Sequence, residues 1–165
     1  MLEGFLHHKK EPMQYYAALA ITENQIDAAL WEGQKDGKVK VTKIASEKYT
    51  GGDWENAITA ADKAVSSIEE GLPEGTELTK VVFGLNPDWL AEDKIKETYL
   101  KKLKQLTTRL SLIALGFVEF PVAISYYLQK EENAPQTVIL AGIENKNLDI
   151  QIPCNYPGNI TFSIG

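Results

Sequence analysis

Carboxylates are the residues with which this chain is best supplied for chemistry, since 23 acids stand against two histidines and one cysteine. An acid/base pair needs two carboxyls held at different pKa values in a cleft. The adjacent acids Glu69-Glu70, Glu92-Asp93 and Glu131-Glu132 fall at expected helix ends. Solvated carboxylates are ordinary there, and those near a helix start favour its dipole. A two-metal nuclease needs several carboxylates at the ends of central strands. The stretch LTKVVFG at 78–84 offers none. His7 and His8 sit together on a charged N-terminal arm, where a solvated tail is the simpler reading than a metal pair. No Ser-His or Cys-His arrangement is available, because both histidines lie in that arm. Cys154, beside Pro153, has no predictable base and no internal disulfide partner. It reads as a structural thiol in a reducing compartment. Gly51-Gly52 lacks the following Lys-Ser/Thr of a phosphate-cradling loop. Trp31, Trp54 and Trp89 read as packing residues. Trp89 also follows a Pro-Asp turn at the C-terminal end of a strand, which makes it the candidate for a cleft or partner surface.

The elements that must position these residues begin with length. A chain of 165 residues makes one domain, or one domain and part of another. Its 44% apolar and 24% charged residues are those of an ordinary globular protein. The net charge is −6 and the cations are scattered, so no nucleic-acid partner is expected. The longest apolar run, 110–128, is broken by Gly116, Glu119 and Pro121. Direct membrane insertion, which takes about 20 apolar residues in a row, is not expected. MLEGFLHHKKEP has no signal-peptide pattern.

Residues 1–12 read as a flexible arm. Tyr15–Ile21 suits a central strand buried on both faces. Thr22–Gln25 is a polar turn, Ile26–Glu32 a second strand, and Val39–Ala45 a third, more exposed one. After Gly51-Gly52, Asp53 is a good N-cap, and Trp54, Ala57, Ile58, Ala61, Ala64, Val65 and Ile68 recur at helical spacing until Gly71 closes the helix. Leu78–Gly84 reads as a buried strand, Asp93–Leu110 as an amphipathic helix, Leu112–Glu119 as another buried strand. Pro121 suits the first position of a helix reaching Lys130. The order β-β-β-α-β-α-β-α is ribonuclease-H-like: three antiparallel strands, then two parallel to the first, with helices on both faces. The expected divisions are 13–134 for this α/β unit and 135–165 for a β-rich start of a second one. Thr137–Ala141 and Leu148–Ile152 around the turn Gly142–Asn147, with Asn159–Ile164 as a third strand, repeat the opening of the chain.

Tandem ribonuclease-H-like units are characteristic of the actin-like ATPase superfamily, and the order of elements over 14–152 resembles it. The stretch GFVEFPVAISYYLQKEENAPQTVILAGIENKNLDI is similar to the strand, helix and second phosphate hairpin of its type IV pilus assembly (PilM) and cell-division members. FGLNPDWL at 83–90 resembles a strand-end sequence of the same group. The resemblance implies an Asp-x-Gly motif in each phosphate hairpin. In this chain the first Asp position is Ala20 and the Gly position Thr22 or Glu23. At the second hairpin the Asp position is Ala141, Gly142 keeps the Gly, and Glu144 replaces a small phosphate-facing residue. The Glu that precedes the helix-starting Pro in the heat-shock members is Phe120 here. If the register slips, Asp27 and Asp149 would have to serve, from the outgoing strands.

Phosphoryl transfer depends on positioning and on charge neutralisation by metal and donors. These departures therefore imply a degenerate nucleotide-binding site, with no cofactor, no metal and no catalytic residue. The expected role is that of a non-catalytic, PilM-like bacterial scaffold for protein–protein interaction in a pilus or cell-envelope assembly. It would be cytoplasmic, at the inner face of the membrane through partners. A protein partner or self-association would use the strands of 135–165. The alternative is the N-terminal portion of an ATPase or kinase that uses ATP and Mg.

Overall fold

The computed structural model describes residues 13–33, 38–92, 94–128, 140–144, 147–153 and 159–164. The expected arm at 1–12 and the junction at 134–135 lie outside them. Three strands open the described chain: β1 (Gln14–Ile21), β2 (Gln25–Gly33) and β3 (Val39–Lys48). They form an antiparallel meander, with Ile21 opposite Ile26 and Gln25 opposite Lys48. Helix α1 (Trp54–Glu69) leads to β4 (Lys80–Leu85), which pairs parallel to β1. A 3-10 turn at Pro87–Trp89 and a two-rung ribbon, β5 (Leu90–Ala91) with β6 (Lys94–Ile95), precede helix α2 (Glu97–Arg109). Strand β7 (Ile113–Glu119) pairs parallel to β4, and helix α3 (Phe120–Leu128) follows it directly. The sheet order is β3-β2-β1-β4-β7, which is the ribonuclease-H-like arrangement read from the sequence.

The period-2 pattern of the strands decides which side is the core. Ala17, Leu19 and Ile21 of β1, Ile26, Ala28 and Leu30 of β2, and Val81, Phe83 and Leu85 of β4 are all buried, and pairing puts them on one face. Onto that face α1 brings Ile58, Ala60, Ala61, Ala64, Val65 and Ile68, and α2 brings Leu103 and Leu106. The run of alanines lets α1 lie close to the sheet. The second face is only half-buried. Tyr16 and Trp31 stack there at 4.4 Å between ring centroids, and Val39, Val41 and Ile44 of β3 are exposed. Strand β1 is therefore sealed on one side rather than on both.

The helix ends show how local chemistry was met. The Asp53 carboxylate accepts from the Glu55 N–H at 3.0 Å, as an N-cap should. Gly71 does follow α1, but not as a left-handed cap, since positive φ among the described glycines is confined to Gly52 and Gly75. A Cβ on Gly71 would stand 3.2 Å from both the Ile68 carbonyl and the Lys43 side chain. Glycine there leaves room for Lys43 to pass to its 2.7 Å ion pair with Glu70. Helix α2 starts at Glu97, later than expected, because Pro87 and the β5–β6 ribbon take up the preceding residues. It ends in a left-handed residue, Ser111 (φ 54), with Leu112 N–H donating to Thr107 at 2.9 Å and Ser111 N–H to Thr108 at 3.4 Å. That is the Schellman pattern, built on serine instead of glycine.

Strand β7 departs most from expectation. Its apolar run predicts burial, yet Ile113 is 62% exposed and Leu115 50% exposed. It is the last strand of the sheet, and its register with β4 slips between Val81 and Val82. Further on, β8 (Leu140–Glu144), β9 (Asn147–Pro153) and β10 (Asn159–Ile164) form a separate antiparallel sheet in the order β10-β9-β8.

Candidate functional site

The β1–β2 turn stands at the C-terminal edge of the parallel strands, where open α/β sheets present ligand sites. It is closed by its own bonds. Thr22 N–H and Oγ1 both donate to the Gln25 carbonyl, at 3.0 and 3.1 Å. Tyr49, just after β3, ties the turn down from behind. Its N–H donates to the Asn24 carbonyl at 2.9 Å and its hydroxyl to the Thr22 carbonyl at 2.5 Å. The following loop also presses on the turn, since a Cβ on Gly51 would lie 3.2 Å from the Glu23 carbonyl. Beside it a shallow hollow of about 200 Å³ is lined by Glu47, Lys48, Tyr49, Thr50, Asn56, Thr59, Ala60 and Lys63.

Ala20 lies on the half-buried second face, opposite Asp27 of β2 and beside Gly84 of β4. Asp27 shares that face, but its Oδ1 already accepts from Gln25 Nε2 at 2.7 Å and from the Ser46 hydroxyl. Gly84 is where the strands meet α3. A Cβ there would stand 2.7 Å from Cε1 and 3.2 Å from Cδ1 of Phe120, and 3.5 Å from the Ala20 Cα. The Phe120 ring thus sits at the β1–β4 strand ends, in the space that the missing side chain of Gly84 leaves. An aromatic ring offers no metal ligand and makes a poor neighbour for a desolvated charge. Among the described residues no group of three or more His, Cys, Asp or Glu is placed to hold a metal ion.

Trp89 is half-buried and used in packing. Its indole stacks on Tyr99 at 4.3 Å and meets Trp54 edge-on at 6.2 Å. The Lys102 ammonium stands 5.3 Å from the Trp54 ring and 5.5 Å from Tyr99. Trp54 Nε1 donates to the Lys102 carbonyl at 3.2 Å. This cluster clamps the β5–β6 ribbon region to α1 and α2, beyond the strand ends.

The second hairpin shifts the expected register. Strand β8 runs through Gly142, so the reversal falls between Glu144 and Asn147, which pair with each other. Matching the two hairpins at their turns sets Gly142 at the place of Ala20, Glu144 at the place of Thr22, and Asp149 at that of Asp27. The equivalent of Ala20 is therefore Gly142 rather than Ala141. The signal was present in the sequence, since ITENQID at 21–27 and IENKNLD at 143–149 share an Asp at the same offset.

No family model matches the sequence. No curated protein matches it either. Solved structures do. The ethanolamine utilization protein EutJ from Carboxydothermus hydrogenoformans is similar with a TM-score of 0.63 at 15% identity, over 94% of this chain and 54% of that one. An exopolyphosphatase from Cytophaga hutchinsonii gives 0.57 at 8% identity, over 92% and 51%. MreB5 of Spiroplasma citri, bound to ADP, gives 0.53 at 12% identity, over 92% and 52%. The chain spans about half the length of these proteins. None of the three described helices is long and apolar enough to cross a membrane. With its mixed five-stranded sheet and these neighbours, the chain has the fold of the actin-like ATPases.

Proposed function

We propose that this chain is a non-catalytic actin-like scaffold whose nucleotide site has degenerated, acting through protein contacts in an assembly such as a pilus or cell-envelope machine. The observation that carries this is Phe120 seated on Gly84 beside Ala20. An apolar ring and a methyl group stand where a metal-side carboxylate would be needed, and charge neutralisation is most of what such a site supplies. The turn adds to it. Thr22 N–H and Oγ1 are spent on Gln25, and the Asn24 and Thr22 carbonyls on Tyr49. The second hairpin has an acid, Glu144, at the place that Thr22 takes in the first, and an acid is an unfavourable residue type beside a phosphate. Calorimetry with ATP and magnesium on the longest natural form of the protein tests it. The expected result is no heat of binding at millimolar nucleotide. Magnesium-dependent binding at micromolar nucleotide would refute it.

A second reading, a nucleotide-dependent ATPase or kinase, is favoured by one fact. The chain aligns with about half of each neighbour, one of them bound to ADP, so the other half of a longer protein would supply further contacts. Phosphate release that persists through purification and disappears on changing a residue of the cleft would establish it in place of the scaffold.

A further inference from the structure

Of the described large apolar side chains that are exposed, most fall within a single stretch, 113–127. Ile113, Leu115 and Phe117 lie on β7, and Val122, Ile124, Tyr126 and Tyr127 on α3, the two tyrosines each 63% exposed. The register with β4 sets Ile113 and Phe117 on opposite faces of the sheet, so what these side chains share is the strand that carries them. Among the described residues, β7 is also an edge of the sheet that no further strand covers. The sheet has two edges, and they are built differently. At one, β3 carries Lys40, Lys43, Glu47 and Lys48, with Lys38 just before it. Charges of this kind keep an edge from pairing with another chain. At the other, β7 runs from Ile113 to Val118 without a charge or a proline, and its first five residues are all exposed. Its row of N–H and C=O groups along the open side, about 23 Å long at 3.3 Å per residue, needs a partner or water.

We propose that this edge is the contact between two copies of the chain, with the two β7 strands antiparallel and α3 alongside, joining the five-stranded sheets into one of ten. A second copy is the occupant that the charges favour. A symmetric contact sets each patch against itself, so a charged patch repels its own copy, while a neutral one is self-complementary. Between Leu112 and Leu128 there is one charged side chain, Glu119. Over the rest of a chain of net charge −6 two copies repel. Strand β3, with its lysines, is the wrong edge for the same reason. This contact differs from one through β8–β10, and it does not depend on whether the nucleotide site is degenerate.

Light scattering after size exclusion, on the full chain across concentration, tests it. The wild type is expected at twice the chain mass. Leu115→Lys and, separately, Ile113→Lys should each weaken association about 100-fold, since each brings two ammonium groups, one from either copy, into an apolar contact. Both positions are half or more exposed, and unchanged far-UV circular dichroism shows that the fold is kept. Ile44→Lys on β3 and Ile150→Lys on β9 should leave the mass unchanged. A wild-type monomer up to about 100 μM, or a dimer split by Ile44→Lys or Ile150→Lys but not by the β7 variants, overturns the proposal.

Discussion

Placing a methyl group on Gly84 tests whether the Phe120 ring is what closes the strand ends. The new Cβ would stand 2.7 Å from Cε1 of Phe120, but an ordinary 3.5 Å from the Ala20 Cα. Carbon atoms rest at about 3.5–4.0 Å, so the ring must retreat by roughly 1 Å. The backbone that carries it is held, because Phe120 opens α3 and Pro121 follows it. Overpacking of this kind costs about 1–3 kcal/mol. In a Phe120→Ala background the clash is gone, and alanine in a strand is then better than glycine by roughly 0.5–1 kcal/mol. Gly84→Ala should therefore destabilise the wild type and slightly stabilise the Phe120→Ala protein, a coupling of about 1.5–4 kcal/mol. Urea unfolding of the four proteins, followed by circular dichroism, measures it. Equal effects of Gly84→Ala in the two backgrounds, within about 0.5 kcal/mol, would show that the ring does not occupy that space in solution.

Ser111 holds a left-handed conformation at the end of α2, which costs a residue with a Cβ about 1–2 kcal/mol. Ser111→Gly should raise stability by about 0.5–1 kcal/mol after the entropy of the unfolded glycine is subtracted, read as a higher urea midpoint at unchanged slope. The neighbours Glu69 and Glu70 should respond to pH in opposite senses. The Lys43 hydrogen bond, and then its charge, hold Glu70 below the usual value of 4.5. Its stabilising contribution is present above pH 4.5 and lost as pH falls through the lowered pKa. Glu70→Gln should then destabilise at pH 7 and have no effect in acid. Burial, and then Asp62, raise Glu69 above 4.5. Glu69→Gln should stabilise above the raised pKa and make no difference below 4.5. Thermal unfolding of both variants across pH checks the two signs together.

The topology was legible in the sequence because it is written in periods and punctuation. Apolar runs on either side of the polar turn Thr22–Gln25, the helical spacing from Trp54 to Ile68, and the turn at Gly51-Gly52 set the order of elements, and that order has few ways to pack. The absence of carboxylates at Ala20 and along 78–84 was equally plain, since residue identity needs no coordinates. Tertiary structure alone decided what fills the space. Phe120 read as a mere substitution before a proline, and it became a plug only because β7 delivers it beside Gly84, 36 positions back in the chain. Exposure of β7 was hidden for a related reason. An apolar run looks the same at the centre of a sheet as at its edge, and only strand order tells them apart. The register of the second hairpin lay within reach of the sequence, through the shared Asp of 27 and 149. It was settled by which residues pair, because a one-residue slip leaves composition unchanged while moving every side chain to the other face.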